Sequence, residues 1–181
     1  MKSKSELRIE YKEIRAQVSD PFRKAAGKSL CHFLSRYPAG INWLSYKAIH
    51  NELNTDEHFQ WARSRGDQVY FPKTDGDKMS FFSVTSLNEM KQGSYGLEPT
   101  SDNIWAAGPL TIALVPGLVF SRRGFRIGYG KGFYDRFLSI HPQVLKIGIS
   151  FAEQINLKGW QPDPHDEALD KIWTPSGVWT C

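Results

Sequence analysis

The sequence predicts an α/β domain built on a largely parallel sheet. Three observations carry this. Strand-like and helix-like segments alternate along the chain. Leu110 to Val115 is an uninterrupted apolar run, as expected for a strand buried on both faces. That run passes directly into Pro116-Gly117 and a glycine cluster. Open sheets of this kind place a ligand at the carboxyl ends of the strands, so the loops after Val115 and His50 are expected to meet there.

Taken in order, Leu7, Tyr11, Ile14 and Val18 form one stripe of an amphipathic helix. Asp20-Pro21 restarts the chain as a cap followed by a first-turn proline, and Phe22, Ala25, Ala26, Leu30, Phe33 and Leu34 carry an apolar face toward Tyr37-Pro38. Ser45 to His50 reads as a short strand, followed by a Thr55 cap, a helix through Arg65 and a stop at Gly66. Gln68 to Pro72 and Met79 to Val84 are strands expected to pair across the turn Thr74-Asp75-Gly76-Asp77. A short helical stretch at Leu87 to Met90 precedes KQGSYGLEPTSD, whose glycine, proline and serine predict an exposed loop. Beyond Val115 follow a helix from about Phe133 to Ile140, a strand from Leu145 to Phe151 and a last strand near Ile172. At 181 residues the chain can bury one core but not two ordinary ones, so one domain over 1–181 is expected.

Composition narrows the class. With 40% hydrophobic and 13% aromatic residues the chain is not globally disordered. The opening MKSKSELRIEYKE has no apolar core of a leader, and Ile112 to Val115 is stopped by Pro116, so neither a signal peptide nor a membrane span is expected. Two cysteines, Cys31 and Cys181, cannot make a disulfide framework, which points to a reducing, cytoplasmic setting. Residues 1–36 hold nine Lys/Arg against four Asp/Glu, and Arg122, Arg123, Arg126, Lys131 and Arg136 face only Asp135. Two basic segments in a near-neutral body suggest a local anion site, or else a solvated helix face.

The stretch VPGLVFSRRGFRIGYGKGFYDRF, residues 115–137, holds five of the fifteen glycines. Gly128, Gly130 and Gly132 alternate with Tyr129 and Lys131 just before a helix, so bare backbone N–H groups can face one anion while Lys131 and Arg126 add charge. The spacing fits neither GxxxxGK[ST] nor GxGxxG. A tight glycine turn with exposed cations is the plainer alternative.

The segment IALVPGLVFSRRGFRIGYGKGFYDRFL resembles the signature of the 5-formyltetrahydrofolate cyclo-ligase family. So do Lys4 and Leu7-Arg8 with the later Arg15, the segment Asn51 to Thr55, the loop Gly96-Leu97-Glu98-Pro99, and His165-Asp166 with Asp170 and Thr174. These landmarks keep the family's order over nearly the whole chain. The resemblance implies a Rossmann-like three-layer domain, of the kind shared with sugar-phosphate isomerases and coenzyme A transferases. It implies an ATP- and Mg²⁺-dependent closure of 5-formyltetrahydrofolate to the 5,10-methenyl form, with ADP and phosphate released.

The resemblance also assigns roles. Arg126, Ile127, Gly128, Tyr129, Gly130, Lys131, Gly132, Phe133 and Tyr134 would wrap the ATP phosphates, with Lys4 and Arg8 completing the nucleotide site and Arg126 and Lys131 acting catalytically. Glu52 would accept the pterin N–H edge, with Tyr95, Tyr129 and Phe133 beside the flat ring. Asp135 and Asp166 would hold Mg²⁺, His165 lying near them without ligating. Unaided, Asp135 reads as a first-turn helix acid, Asp166 as a turn or helix cap and Glu52 as a surface or helix-entry residue. Trp43, Trp61 and Trp105 match nothing and are expected to pack.

Two positions depart from the family pattern. Ser121 replaces a frequent Asp, its hydroxyl expected to close a local turn, and Asn54 replaces an acid and is expected to alter hydrogen bonding toward substrate. The expected partners are a reduced folate and ATP, acting on a monomer without nucleic acid or membrane. A phosphosugar isomerase-like enzyme and an anion- or nucleic-acid-binding domain are the alternatives, the latter without an RNP pattern or zinc finger to support it.

Overall fold

The computed structural model describes residues 2–156 and 160–181. Helix α1 (Lys4–Ala16) opens with a capping box: the Ser3 side chain takes the Glu6 N–H while Glu6 takes that of Ser3. Helix α2 (Asp20–Leu34) has Ser19 at its N-cap position, with no side-chain cap bond, one residue before the expected Asp20, which pairs with Arg23 at 2.8 Å. Strand β1 is Asn42–Leu44, wholly buried, so it lies just before the expected segment. Residues 45–50 instead leave the sheet as a loop.

Helix α3 (Asp56–Ser64) begins where expected, but Thr55 makes no side-chain cap. Its hydroxyl donates to the Tyr46 carbonyl, and Asn54 Oδ1 takes the Asp56 N–H at 2.7 Å in its place. Strands β2 (Gln68–Asp75) and β3 (Lys78–Ser83) pair antiparallel as expected. Pro72 is tolerated because β1 pairs only with Gln68 to Tyr70, so no ladder bond is lost on that side. The segment read as an exposed loop is a second hairpin, β4 (Met90–Gly93) with β5 (Gly96–Pro99), joined by the two residues Ser94-Tyr95.

Strand β6 (Thr111–Val115) is followed by two short strands, β7 (Val119–Ser121) and β8 (Arg126–Ile127). Then come α4 (Phe133–Ser139), β9 (Leu145–Ile149), β10 (Ile155–Asn156), β11 (Lys171–Thr174) and β12 (Gly177–Thr180). The main sheet runs β12-β11-β9-β6-β1-β2-β3. The five inner strands are parallel, and β3 and β12 close its edges antiparallel.

Alternation along β6 builds the two faces. Ile112 and Leu114 join Leu30, Trp43, Phe59 and Ile147 under α2 and α3, while Ala113 and Val115 join Leu44, Phe120, Phe137 and Ile172 under α4. This is the expected three-layer α/β sandwich. Helix α1 lies apart on the small sheet β10-β7-β8, packing Leu7 and Tyr11 against Leu118, Val119 and Ile127. Trp43 and Trp105 are packing residues, Trp43 also donating its Nε1–H to Asp67 at 2.9 Å, and Trp61 lies beneath Arg65.

Candidate active site

The loops after β1 and β6 meet at the carboxyl ends of their strands and, with the glycine loop and the β4–β5 hairpin, enclose a cleft of about 730 Å³. Every residue singled out from the sequence as a site residue lines it, from Lys4 and Arg8 through Glu52, Tyr95 and 126–135 to Asp166. The sequence reading did not single out Lys47, His50, Glu98 or Asp163, which line it too. His50 carries a signal visible only in the backbone, φ of +51° in a residue other than glycine.

One wall is the glycine loop. Gly130 sits at φ +98°, and an added Cβ would lie 3.4 Å from the Arg8 guanidinium, so a side chain there meets both backbone strain and a neighbour. Gly132, at φ +65°, is the N-cap of α4, where a Cβ would strike Arg136 Nη1 at 2.8 Å. Arg8 Nε donates to the Gly128 carbonyl at 2.9 Å and pins the loop to α1. Lys131 is exposed, 5.9 Å above the Tyr95 ring, and Tyr95 meets Phe133 edge-on at 5.2 Å.

Arg126 is different from Lys131. It is buried, and its Nη1 donates to Asp135 Oδ1 at 2.9 Å, an oxygen that also takes the Glu167 N–H at 3.1 Å. Asp166 Oδ2 takes the Lys4 ammonium and the Asp163 N–H, and Lys4 also reaches Asp163 at 2.6 Å. The ligand atoms of Asp163, His165 and Asp166 lie within 4.8 Å of one another.

The opposite wall is drier. Glu52 is 7% exposed; its Oε2 takes the Ile49 N–H at 3.0 Å and its Oε1 lies 3.7 Å from Arg15 Nη1. Burial pushes the Glu52 carboxyl up to about 7 against the pull of that N–H and of Arg15. The Tyr134 hydroxyl is shut from solvent with no hydrogen-bond partner among the described residues, and burial with the nearby Glu52 charge raises its pKa.

The two departures resolve differently from expectation. Ser121 is buried, and its turn is closed by the backbone, Gly124 N–H to Ser121 carbonyl at 3.1 Å, while its hydroxyl finds no partner among the described residues. Asn54 does not line the cleft; it serves the start of α3.

The sequence profile of the 5-formyltetrahydrofolate cyclo-ligase family matches residues 1–175. A probable 5-formyltetrahydrofolate cyclo-ligase of Caenorhabditis elegans is 32% identical over 126 residues, covering 61% of each chain. The mitochondrial 5-formyltetrahydrofolate cyclo-ligase of Arabidopsis thaliana is 36% identical over 163 residues, 75% of this chain and 58% of the plant protein. The chain thus spans about three-fifths of the length of these two curated relatives. The NMR structure of Aquifex aeolicus 5,10-methenyltetrahydrofolate synthetase superposes with a TM-score of 0.79 at 26% identity, over 98% of this chain and 92% of that one.

Proposed function

Because the chain belongs to the 5-formyltetrahydrofolate cyclo-ligase family, we propose that it closes 5-formyltetrahydrofolate to 5,10-methenyltetrahydrofolate at the expense of ATP. The observation that carries this reading is one cleft with two chemically distinct ends: a glycine-and-cation loop suited to phosphate, and a buried carboxylate flanked by aromatic rings suited to a pterin.

A formamide oxygen is a poor leaving group. In the proposed route it attacks the γ-phosphorus, releasing ADP and making a phosphorylated oxygen; N10 then adds to the formyl carbon and loses its proton to water, and phosphate departs with that oxygen. The chain's own part is positioning and charge. N–H groups of 128–132 cradle the phosphates, and Lys131, Arg126, Lys4 and Arg8 neutralise them. Glu52 accepts the pterin N–H groups, and Tyr95, Tyr129 and Phe133 hold the ring and exclude water.

The carboxylates fit a hard divalent cation. Asp135 and Asp166 each commit one oxygen within the protein and leave the other without a partner among the described residues. When bound, Mg²⁺ would neutralise phosphate oxygens there. The same reading has a monomer acting in the cytoplasm on a reduced folate and ATP, without nucleic acid. No helix among the described residues is long and apolar enough to cross a membrane.

The test is direct: mix the purified protein with 5-formyltetrahydrofolate and MgATP and follow the near-ultraviolet absorbance of the conjugated methenyl product. Product that depends on ATP and metal supports the reading; a folded sample with no product above ATP-free and metal-free controls ends it.

A further inference from the structure

Among the residues of α1, Arg15 points inward. It is 2% exposed and lies four residues after Tyr11, on the apolar stripe. Its guanidinium reaches three separate parts of the fold. Nη1 donates to the Gly117 carbonyl, in the loop after β6, at 3.2 Å and lies 3.7 Å from Glu52 Oε1, in the loop after β1. Nη2 donates to the Tyr129 hydroxyl, on the glycine loop, at 2.5 Å. Gln154 Nε2 donates to the same Gly117 carbonyl at 2.9 Å, so that anchor is doubly held.

Guanidinium–carboxylate pairs are frequently bidentate, two parallel N–H···O bonds using both carboxylate oxygens. This one is not. Glu52 Oε2 is occupied by the Ile49 N–H, while among the described residues Oε1 has only the long Arg15 contact, on a cleft-lining side chain. The arginine orients the carboxylate without consuming it. We propose that Arg15 is a positioning residue that holds Glu52 and Tyr129 in one frame, so that the folate wall and the phosphate loop are set by a single side chain. The proposal rests on the folate reading of Glu52 and goes beyond it by naming what orients that carboxylate.

The groups facing Glu52 are Arg15 from α1, Tyr46 from the same loop, Tyr129 from the glycine loop and Tyr134 from α4. Burial and the Glu52 charge raise all three tyrosines, so Arg15 is the cation that favours an ionised Glu52.

The experiment uses the full chain as wild type, R15Q, R15K and Y129F, each checked by circular dichroism and thermal melting. Two readouts are taken: the pH titration of the Glu52 carboxyl by ¹³C NMR, assigned with E52Q, and kcat/KM for 5-formyltetrahydrofolate against pH. R15Q is expected to move the Glu52 titration and the acid limb of kcat/KM to higher pH together. R15K keeps the charge and the limb but cannot span both partners, so it raises the folate KM on the order of tenfold. Y129F shifts the titration as R15Q does, in smaller measure, and decides the matter where R15Q fails to fold. Wild type without turnover but with the R15Q titration shift would sink the folate reading and leave the Arg15–Glu52 coupling standing. A folded R15Q with unmoved titration and limb, a Y129F titration that stays put, or an R15K with wild-type folate KM overturns the proposal.

Discussion

The two ends of the cleft handle charge in opposite ways. At the end proposed for phosphate, Lys4 pairs with Asp163 and Asp166 through side chains that are 22%, 53% and 11% exposed. At the other end the Arg15 and Glu52 side chains are 3% and 5% exposed. Asp163 is half open to water, and pairs of that kind are worth about 0–1 kcal/mol, so Lys4 can leave it for another anion at little cost. A buried pair cannot be exchanged so cheaply, because a lone charge left in a dry site is strongly destabilising. The open end is thus built to swap partners and the buried end to keep one orientation.

Lys131 and Arg126 break the comparison most sharply, since one is exposed in the glycine loop and the other buried on β8 five residues before it. K131A is expected to lower kcat/KM by about 2 kcal/mol or more, with no loss of thermal stability. R126A should lose as much activity and also destabilise the fold by about 3 kcal/mol, because it leaves Asp135 without its cation. Steady-state kinetics with urea melts separates the two. An unchanged kcat/KM in K131A removes Lys131 from the phosphate site.

The aspartates give the next largest effect. D166N keeps the shape that accepts the Asp163 N–H but loses charge, so it should raise the Mg²⁺ needed for half-maximal rate with stability nearly unchanged. D135N should move the metal curve and lower stability as well, since Arg126 would lose its partner. Titrating Mg²⁺ at saturating ATP checks both, and a stable variant with an unshifted curve is not a ligand.

What the sequence revealed, and what it hid, follows the same division. Strand β6 was readable because both its faces are covered, which forces Ile112 to Val115 to be apolar throughout. The glycine loop was readable because left-handed φ at Gly130 and Gly132 admits few other residues. Segment 45–50 misled because Tyr46, Ile49 and His50 look like strand residues but line the cleft. The β4–β5 hairpin was hidden because only one side of it is covered and its strands carry the polar residues of a loop. Arg15 carried a visible signal, a cation on the apolar stripe of α1, whose meaning needed Glu52 and Tyr129 brought from elsewhere in the chain.

His58 sharpens the contrast by showing a buried titratable group with no hydrogen-bond partner among the described residues. It is fully buried against Trp43, rings 4.9 Å apart, with neither nitrogen hydrogen-bonded among the described residues, and burial lowers its pKa to about 3. The unfolded chain takes this proton near pH 6.5 and the folded chain only near pH 3, so stability falls as pH drops through that window. At pH 5 the loss from this group is about 2 kcal/mol relative to pH 7.5. Glu52 titrates with the opposite sign, because its folded pKa is raised. Urea unfolding of wild type and H58F at both pH values isolates the His58 part: the difference between the two proteins should widen by about 2 kcal/mol in favour of H58F at pH 5. An unchanged difference would mean that His58 is solvated or paired in solution.

The smallest effect tests where the cleft ends. Asn54 was expected to alter hydrogen bonding toward substrate, yet its Oδ1 takes the Asp56 N–H at 2.7 Å and the residue is exposed outside the cleft wall. A side-chain oxygen that satisfies a first-turn N–H is worth about 1 kcal/mol, and Asp serves that role as well as Asn. N54A is therefore expected to lower stability by about 1 kcal/mol, N54D to leave it unchanged, and both to keep the KM for 5-formyltetrahydrofolate within about twofold of wild type. Thermal melts and steady-state kinetics on the pair distinguish the roles. A large rise in folate KM in N54D with normal stability would extend the folate wall past Glu52 to the start of α3; stability loss in N54A alone confines it to the loop that Arg15 holds.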